Sequence, residues 1–126
     1  MDFKVTVVIP LEVIDNLLCS AFEGGSNYWA TRADIRKKDP GGEATYTHEM
    51  PQRGGELYIY DGEEGKKYAL NLKAIQRGLE AMSKWGEEDG AHHWAHVIAG
   101  NDGGQIDADT GDAFLQACLF GKLIYG

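Results

Sequence analysis

The sequence predicts an α+β fold, and three observations carry the prediction: strict alternation near the N-terminus, a block of strand-like segments before residue 71, and helical apolar spacing through most of the remainder. Phe3, Val5, Val7 and Ile9 alternate with Lys4, Thr6 and Val8, the period-two signature of a strand with one buried face. Pro10 is tolerated in a helix's first turn, and Leu11, Ile14, Leu17, Leu18, Ala21 and Phe22 follow at helical spacing until Gly24-Gly25. Glu12, Asp15 and Asn16 form the polar face of this helix. Asn27 to Ile35, with Tyr28, Trp29 and Thr31, reads as a second strand. Arg36 to Arg53 is polar and proline-punctuated, a loop of the length that is often functional or mobile. Glu56 to Tyr60 and Lys67 to Asn71 flank Asp61-Gly62-Glu63-Glu64-Gly65, which predicts a hairpin.

The last third is helical. Leu72, Ile75, Leu79 and Met82 form a stripe extended by Trp85, with Asn71 as its N-cap. Gly86 to Gly90 breaks the chain before a short helix, Ala91 to Ala99, that turns Trp94, Val97 and Ile98 inward. Asp109 caps a final helix burying Phe114, Leu115, Cys118 and Leu119, and Leu123 to Tyr125 suggests a terminal strand. The expected order is β-α-β-β-β-α-α-α in a single domain spanning residues 1–126. An antiparallel sheet of about four strands would carry its helices on one side.

Composition narrows the partner more than the chemistry. Hydrophobic residues make up 43% and charged residues 25%, the balance of a globular chain, and many of the 17 glycines pair at turns: Gly24-Gly25, Gly41-Gly42, Gly54-Gly55 and Gly103-Gly104. The first ten residues lack the basic start and apolar run of a signal peptide, and no apolar stretch reaches the roughly 18 residues of a membrane span. Cys19 and Cys118 fall within apolar helical patterns, as reduced buried thiols do. These features point to the cytoplasm. The net charge is −8, with six Lys/Arg against nine Asp/Glu up to Tyr60 and six against eleven beyond it. Such a chain is repelled by DNA, RNA and anionic membranes and attracted to a basic protein.

No complete catalytic, cofactor or metal motif emerges. His92 and His96 stand four apart, as in many zinc helices, but position 93 is His where a metalloprotease helix has its catalytic Glu. Asp107 to Asp112 resembles the start of a calcium loop, yet glycine falls at loop position five and Cys118 occupies the place of the bidentate Glu. Helix capping accounts for these carboxylates more simply. The Glu23 to Asn27 turn lacks the lysine and spacing of a P-loop, and neither Ser20 nor Ser26 has a nucleophile-elbow context. We therefore assign no catalytic residue, metal ligand or cofactor. If a small ligand binds, the candidates are Glu23, Ser26, Asn27, Tyr28 and Trp29, although Trp29 reads first as core. Tyr28, Trp29, Tyr46, Tyr58 and Tyr60 are the alternative source of an exposed aromatic patch.

Acidic groups gather at Asp61, Glu63 and Glu64, at Glu87, Glu88 and Asp89, and at Asp102, Asp107, Asp109 and Asp112. Solvation alone accounts for such runs. On one shared face they would instead imitate the phosphates of a nucleic acid and fit a basic groove on another protein. The first two groups, Asp61, Glu63, Glu64, Glu87, Glu88 and Asp89, are the candidate partner-binding residues.

The stretches Glu23-Gly24-Gly25-Ser26-Asn27-Tyr28-Trp29 and Thr110-Gly111-Asp112-Ala113-Phe114-Leu115-Gln116-Ala117-Cys118-Leu119-Phe120-Gly121 resemble those of small proteins encoded by bacteriophages and prophages. The resemblance implies a bacterial host cell and carries no catalytic residues. Together with the acidic charge it implies an inhibitor of a bacterial defence system, of the anti-CRISPR type, that binds a basic host protein or nucleoprotein complex. The competing expectations are a small-ligand binder or enzyme built around the Gly24-Gly25 turn, and a structural accessory protein, for instance a homodimer with a self-complementary apolar patch.

Overall fold

The computed structural model describes residues 1–100 and 106–126, so Asp102 and the Gly103-Gly104 pair lie outside the described residues. The fold is α+β. Helix α1 (Leu11–Ser20) runs into a π-helical turn (Ala21–Gly25), and strands β1 (Ala30–Lys37), β2 (Glu56–Asp61) and β3 (Lys67–Leu70) follow. Helices α2 (Leu72–Ser83), α3 (His92–Ala99) and α4 (Ala108–Phe120) complete the described chain. The strands form one antiparallel sheet with β2 in the centre, Leu57 opposing Ile35 and Leu70, and Ile59 opposing Ala33 and Tyr68. Along β2, Leu57, Ile59 and Asp61 are buried while Tyr58 and Tyr60 stay half-buried on the other face, beneath Lys67 at 4.4 Å and Arg32 at 4.0 Å. That alternation gives the sheet one core face and one wet face.

Helix α4 is the centre of the core, buried from Thr110 to Cys118 and packed against α1 and α2. Two glycines allow its approach. A Cβ on Gly111 would lie 2.8 Å from both the Leu17 carbonyl oxygen and the Ala21 amide nitrogen, and one on Gly25 would collide with the Ala108 carbonyl. Contacts that tight leave room for hydrogen alone. Helix α4 is thus seated directly on the backbone of α1 and of the π-helical turn that follows it.

Several expectations change. Phe3 to Ile9 is not a strand: it pairs with nothing among the described residues, and Phe3 and Val5 are 89% and 88% exposed. The chain entering α1 at Pro10 carries this segment over α2 and α3, where Val5, Val7, Val8 and Ile9 lie beside Leu79 and Trp94, away from both sheet edges. Among the described residues the sheet therefore has three strands and the order is α-β-β-β-α-α-α. The second expected strand starts at Ala30, because Ser26 to Trp29 forms a turn in which the Trp29 and Ala30 amides donate to the Ser26 carbonyl. Asp107, not Asp109, caps α4 by accepting from the Thr110 amide at 2.8 Å. In α3 the inward face carries His93 and Val97, and Ile98 is 43% exposed.

The loop from Arg36 to Arg53 is pinned rather than loose. Asp39 accepts from the Glu43 and Ala44 amides, Glu49 from Thr45 and Tyr46, and Arg53 forks onto Asp15 of α1 at 2.7 and 2.8 Å. The bidentate hydrogen bond from Arg53 holds the Asp15 carboxyl below its ordinary range. Leu123 to Tyr125 forms no strand because the Gln116 side chain takes the Ile124 and Tyr125 amides. Cys19 and Cys118 are free thiols, the latter buried. Among the described residues, no helix is long and apolar enough to cross a membrane.

Candidate functional site

The polar centre of the molecule is Asp112. It sits on α4 and points into the turn that follows α1, where it accepts four hydrogen bonds: Ser26 Oγ at 2.8 Å, Trp29 Nε1 at 2.7 Å, Tyr28 Oη at 2.6 Å and Gln116 Nε2 at 3.0 Å. Three of the five ligand candidates, Ser26, Tyr28 and Trp29, are thereby brought together, with Ser26 and Trp29 buried and Tyr28 54% exposed. Burial, then the Asp112 carboxylate, raises the Tyr28 hydroxyl pKa well above its ordinary value. Glu23 and Asn27 are exposed and are not among the donors to Asp112.

One turn further along the helix face, Gln116 extends the network to the C-terminal segment. Its Oε1 accepts from the Ile124 and Tyr125 amides at 2.9 and 3.0 Å. Tyr125 stacks on Trp29 with ring centroids 5.3 Å apart and donates its hydroxyl to Asp61 at 2.5 Å. Asp61 is buried, so it is not part of an exposed acidic patch; it also accepts the Glu63 and Glu64 amides and thereby holds the hairpin turn. Burial alone would raise the Asp61 pKa, but the Tyr125 hydroxyl and the two amides outweigh it and hold it below the ordinary value. The same hydrogen bond from the other side pushes the Tyr125 phenol up.

Of the remaining partner-binding candidates, Glu63, Glu64, Glu87, Glu88 and Asp89 are exposed, with Glu64 reaching Lys66 at 3.2 Å. Their two turns are anchored to one segment. Tyr125 is tied to the hairpin turn through Asp61, while Trp85 Nε1 donates to the Gly121 carbonyl at 3.1 Å and Leu123 lies against Gly90, directly after Glu87–Asp89.

An open cleft of about 320 Å³ lies beside the network, lined among others by Tyr28, His92, His93, Asp109, Asp112 and Leu123. His93 is buried and its Nδ1 shares a hydrogen bond with Thr110 Oγ1 at 2.9 Å, and His96 approaches the same hydroxyl at 3.3 Å. Burial, then the neighbouring His92, lowers the His93 pKa. Among the described residues, no three His, Cys, Asp or Glu side chains are arranged to hold a metal ion. A second cavity, about 210 Å³, opens between Phe22, Asn27, Arg32 and Ile59.

The sequence reading missed the roles of Asp112, Gln116, Thr110 and Tyr125. A signal for two of them was present: Asp112 and Gln116 are polar, four apart, and are the polar positions of an otherwise apolar run from Gly111 to Phe120, so they share a face and need buried partners. In comparisons with protein-family models, curated proteins and solved structures, nothing matches the chain.

Proposed function

We propose that the protein is a binding inhibitor of a bacterial defence effector, of the anti-CRISPR type, which occupies a basic nucleic-acid-binding surface on its target. The observation that carries this reading is the mounting of two exposed acidic turns, Glu63-Glu64 and Glu87-Glu88-Asp89, on the same C-terminal segment, residues 121–125. The net charge of −8 and the phage-like stretches support it. Carboxylates held on ordered turns steer a basic partner and exclude its nucleic acid without costly rearrangement. The test is retention of CRISPR effector complexes from bacterial lysate by the tagged protein, washed at low and then high salt. Salt-sensitive retention of one complex, lost when Glu63, Glu64, Glu87 and Glu88 are changed to Lys, is the expected result. No retention of any such complex sinks the reading.

A second reading, a small polar ligand, is favoured by the cleft beside Tyr28, His92 and Asp109. A thermal-shift screen of nucleotides and amino acids against the wild type and Tyr28→Phe separates it from the first, because the substitution leaves both acidic turns in place.

A further inference from the structure

The segment from Phe3 to Ile9 keeps a strand's alternation but has no neighbouring strand among the described residues. Phe3, Val5 and Val8 are 89%, 88% and 81% exposed. An extended row of apolar side chains with unpaired amides and carbonyls is a template for another chain. We propose that this arm is a dimerisation strand, and that two copies of the chain pair their arms antiparallel across a two-fold axis through Val5.

Three observations select a second copy as the occupant. The pattern is self-complementary about Val5: Phe3 faces Val7, Val5 faces itself, and Lys4 faces Thr6, so one face stays apolar and no like charges oppose. The apolar surface is open as well. Met1, Phe3, Val5 and Val7, all on one face of the alternating arm, are 106%, 89%, 88% and 46% exposed, surface that a second copy's arm would cover. A seat is also present. Val5, Val7, Val8 and Ile9 line an open groove of about 520 Å³ with Leu79 and Trp94, and the second copy's Phe3, opposite Val7, falls over it. Of the acidic residues, Glu80 lines this groove, whereas Glu63, Glu64, Glu87, Glu88 and Asp89 do not.

The test is the mass of the full chain in solution by light scattering and sedimentation, from about 1 to 100 µM, a range that brackets a micromolar dimer. The wild type should show twice the monomer mass. Val5→Asp should weaken the dimer at least tenfold while keeping the same circular dichroism spectrum, since Val5 is exposed in the single copy. Val5→Cys in a Cys19→Ser background should give a disulfide-linked dimer on oxidation, because directly opposed residues of antiparallel strands lie at disulfide range. A monomeric wild type overturns the proposal, as does a dimer indifferent to Val5→Asp. Failure of Val5→Cys to cross-link overturns the pairing centred on Val5.

Discussion

Asp112 and Glu88 belong to the same acidic chain, yet they occupy opposite situations. Asp112 is buried on α4 with four donors converging on its two oxygens; Glu88 stands exposed on a short turn. Asp61 joins the first group and Glu63, two residues away, the second. The difference separates carboxylates that hold the fold from those that stand free to solvent and that the proposed function assigns to a partner. Buried ones are costly to disturb because their donors have nowhere else to turn. Exposed ones are cheap to change and matter only to what approaches them.

The sharpest way to break this division is to remove the centre of the network. Asp112→Ala leaves the buried Ser26 hydroxyl and Trp29 indole without their acceptor, and leaves the Gln116 amide only its longer bonds to the Tyr125 carbonyl and the Tyr28 hydroxyl. The expected loss is about 3–4 kcal/mol in urea unfolding, a large share of the 5–15 kcal/mol typical of a domain. Asp112→Asn keeps one acceptor oxygen and should recover part of that loss. An equal loss from both substitutions would mean that charge, rather than hydrogen bonding, holds the site. Gly111→Ala should cost less, about 1–3 kcal/mol, by forcing α4 away from the Leu17 carbonyl and the Ala21 amide. Thermal melts would register no change if the two helices were free to slide.

Acid should separate the groups further. His93 has a lowered pKa, so the unfolded chain takes up its proton first, and stability falls as pH drops below the ordinary His value of 6.5. Asp15, Asp61 and Asp107 are also lowered from 3.8, so the stability they contribute is present above that pH and is lost as pH falls beneath it. Backbone donation from Thr110 is the main cause at Asp107. Urea midpoints measured at pH 7, 5.5 and 3 should therefore decline in two stages. His93→Gln should remove the first stage alone; persistence of that stage in the variant would assign it to another group.

Much of this architecture was legible in the sequence because local patterns determine it. The hairpin around residues 61–65, the Asn71 cap and the helical stripes follow from turn chemistry and apolar period, which neighbours in the chain supply themselves. Contacts at long separation were not legible. Asp112 meets Ser26 and Trp29 across more than 80 residues, and no spacing rule predicts which buried donor a carboxylate will find. The arm from Phe3 to Ile9 failed for a different reason. Alternation states that a segment can be a strand, while pairing depends on where the chain delivers it, and Pro10 delivers it to the helices. The acidic runs were visible as composition, but only the hydrogen bonds to Asp61 distinguish a carboxylate that shapes the turn from Glu63 and Glu64, which ride on it.

The smallest structural effect belongs to the exposed group, and it is the most informative about function. Changing Glu63, Glu64, Glu87 and Glu88 together to Lys raises the net charge by eight, from −8 to about zero, while leaving every hydrogen bond to Asp61 and Asp112 in place. Surface substitutions away from buried partners move stability little, so the melting temperature and circular dichroism should match those of the wild type. Retention of a basic partner should nevertheless vanish at low salt, where the wild type binds best. A control that adds the same charge elsewhere, for example Glu12→Lys, Asp34→Lys, Glu43→Lys and Glu80→Lys, isolates position from net charge. Equal loss of binding in both variants would reduce the acidic turns to bulk electrostatics, whereas loss confined to the first would make the ordered placement of those turns along residues 121–125 the determinant of recognition.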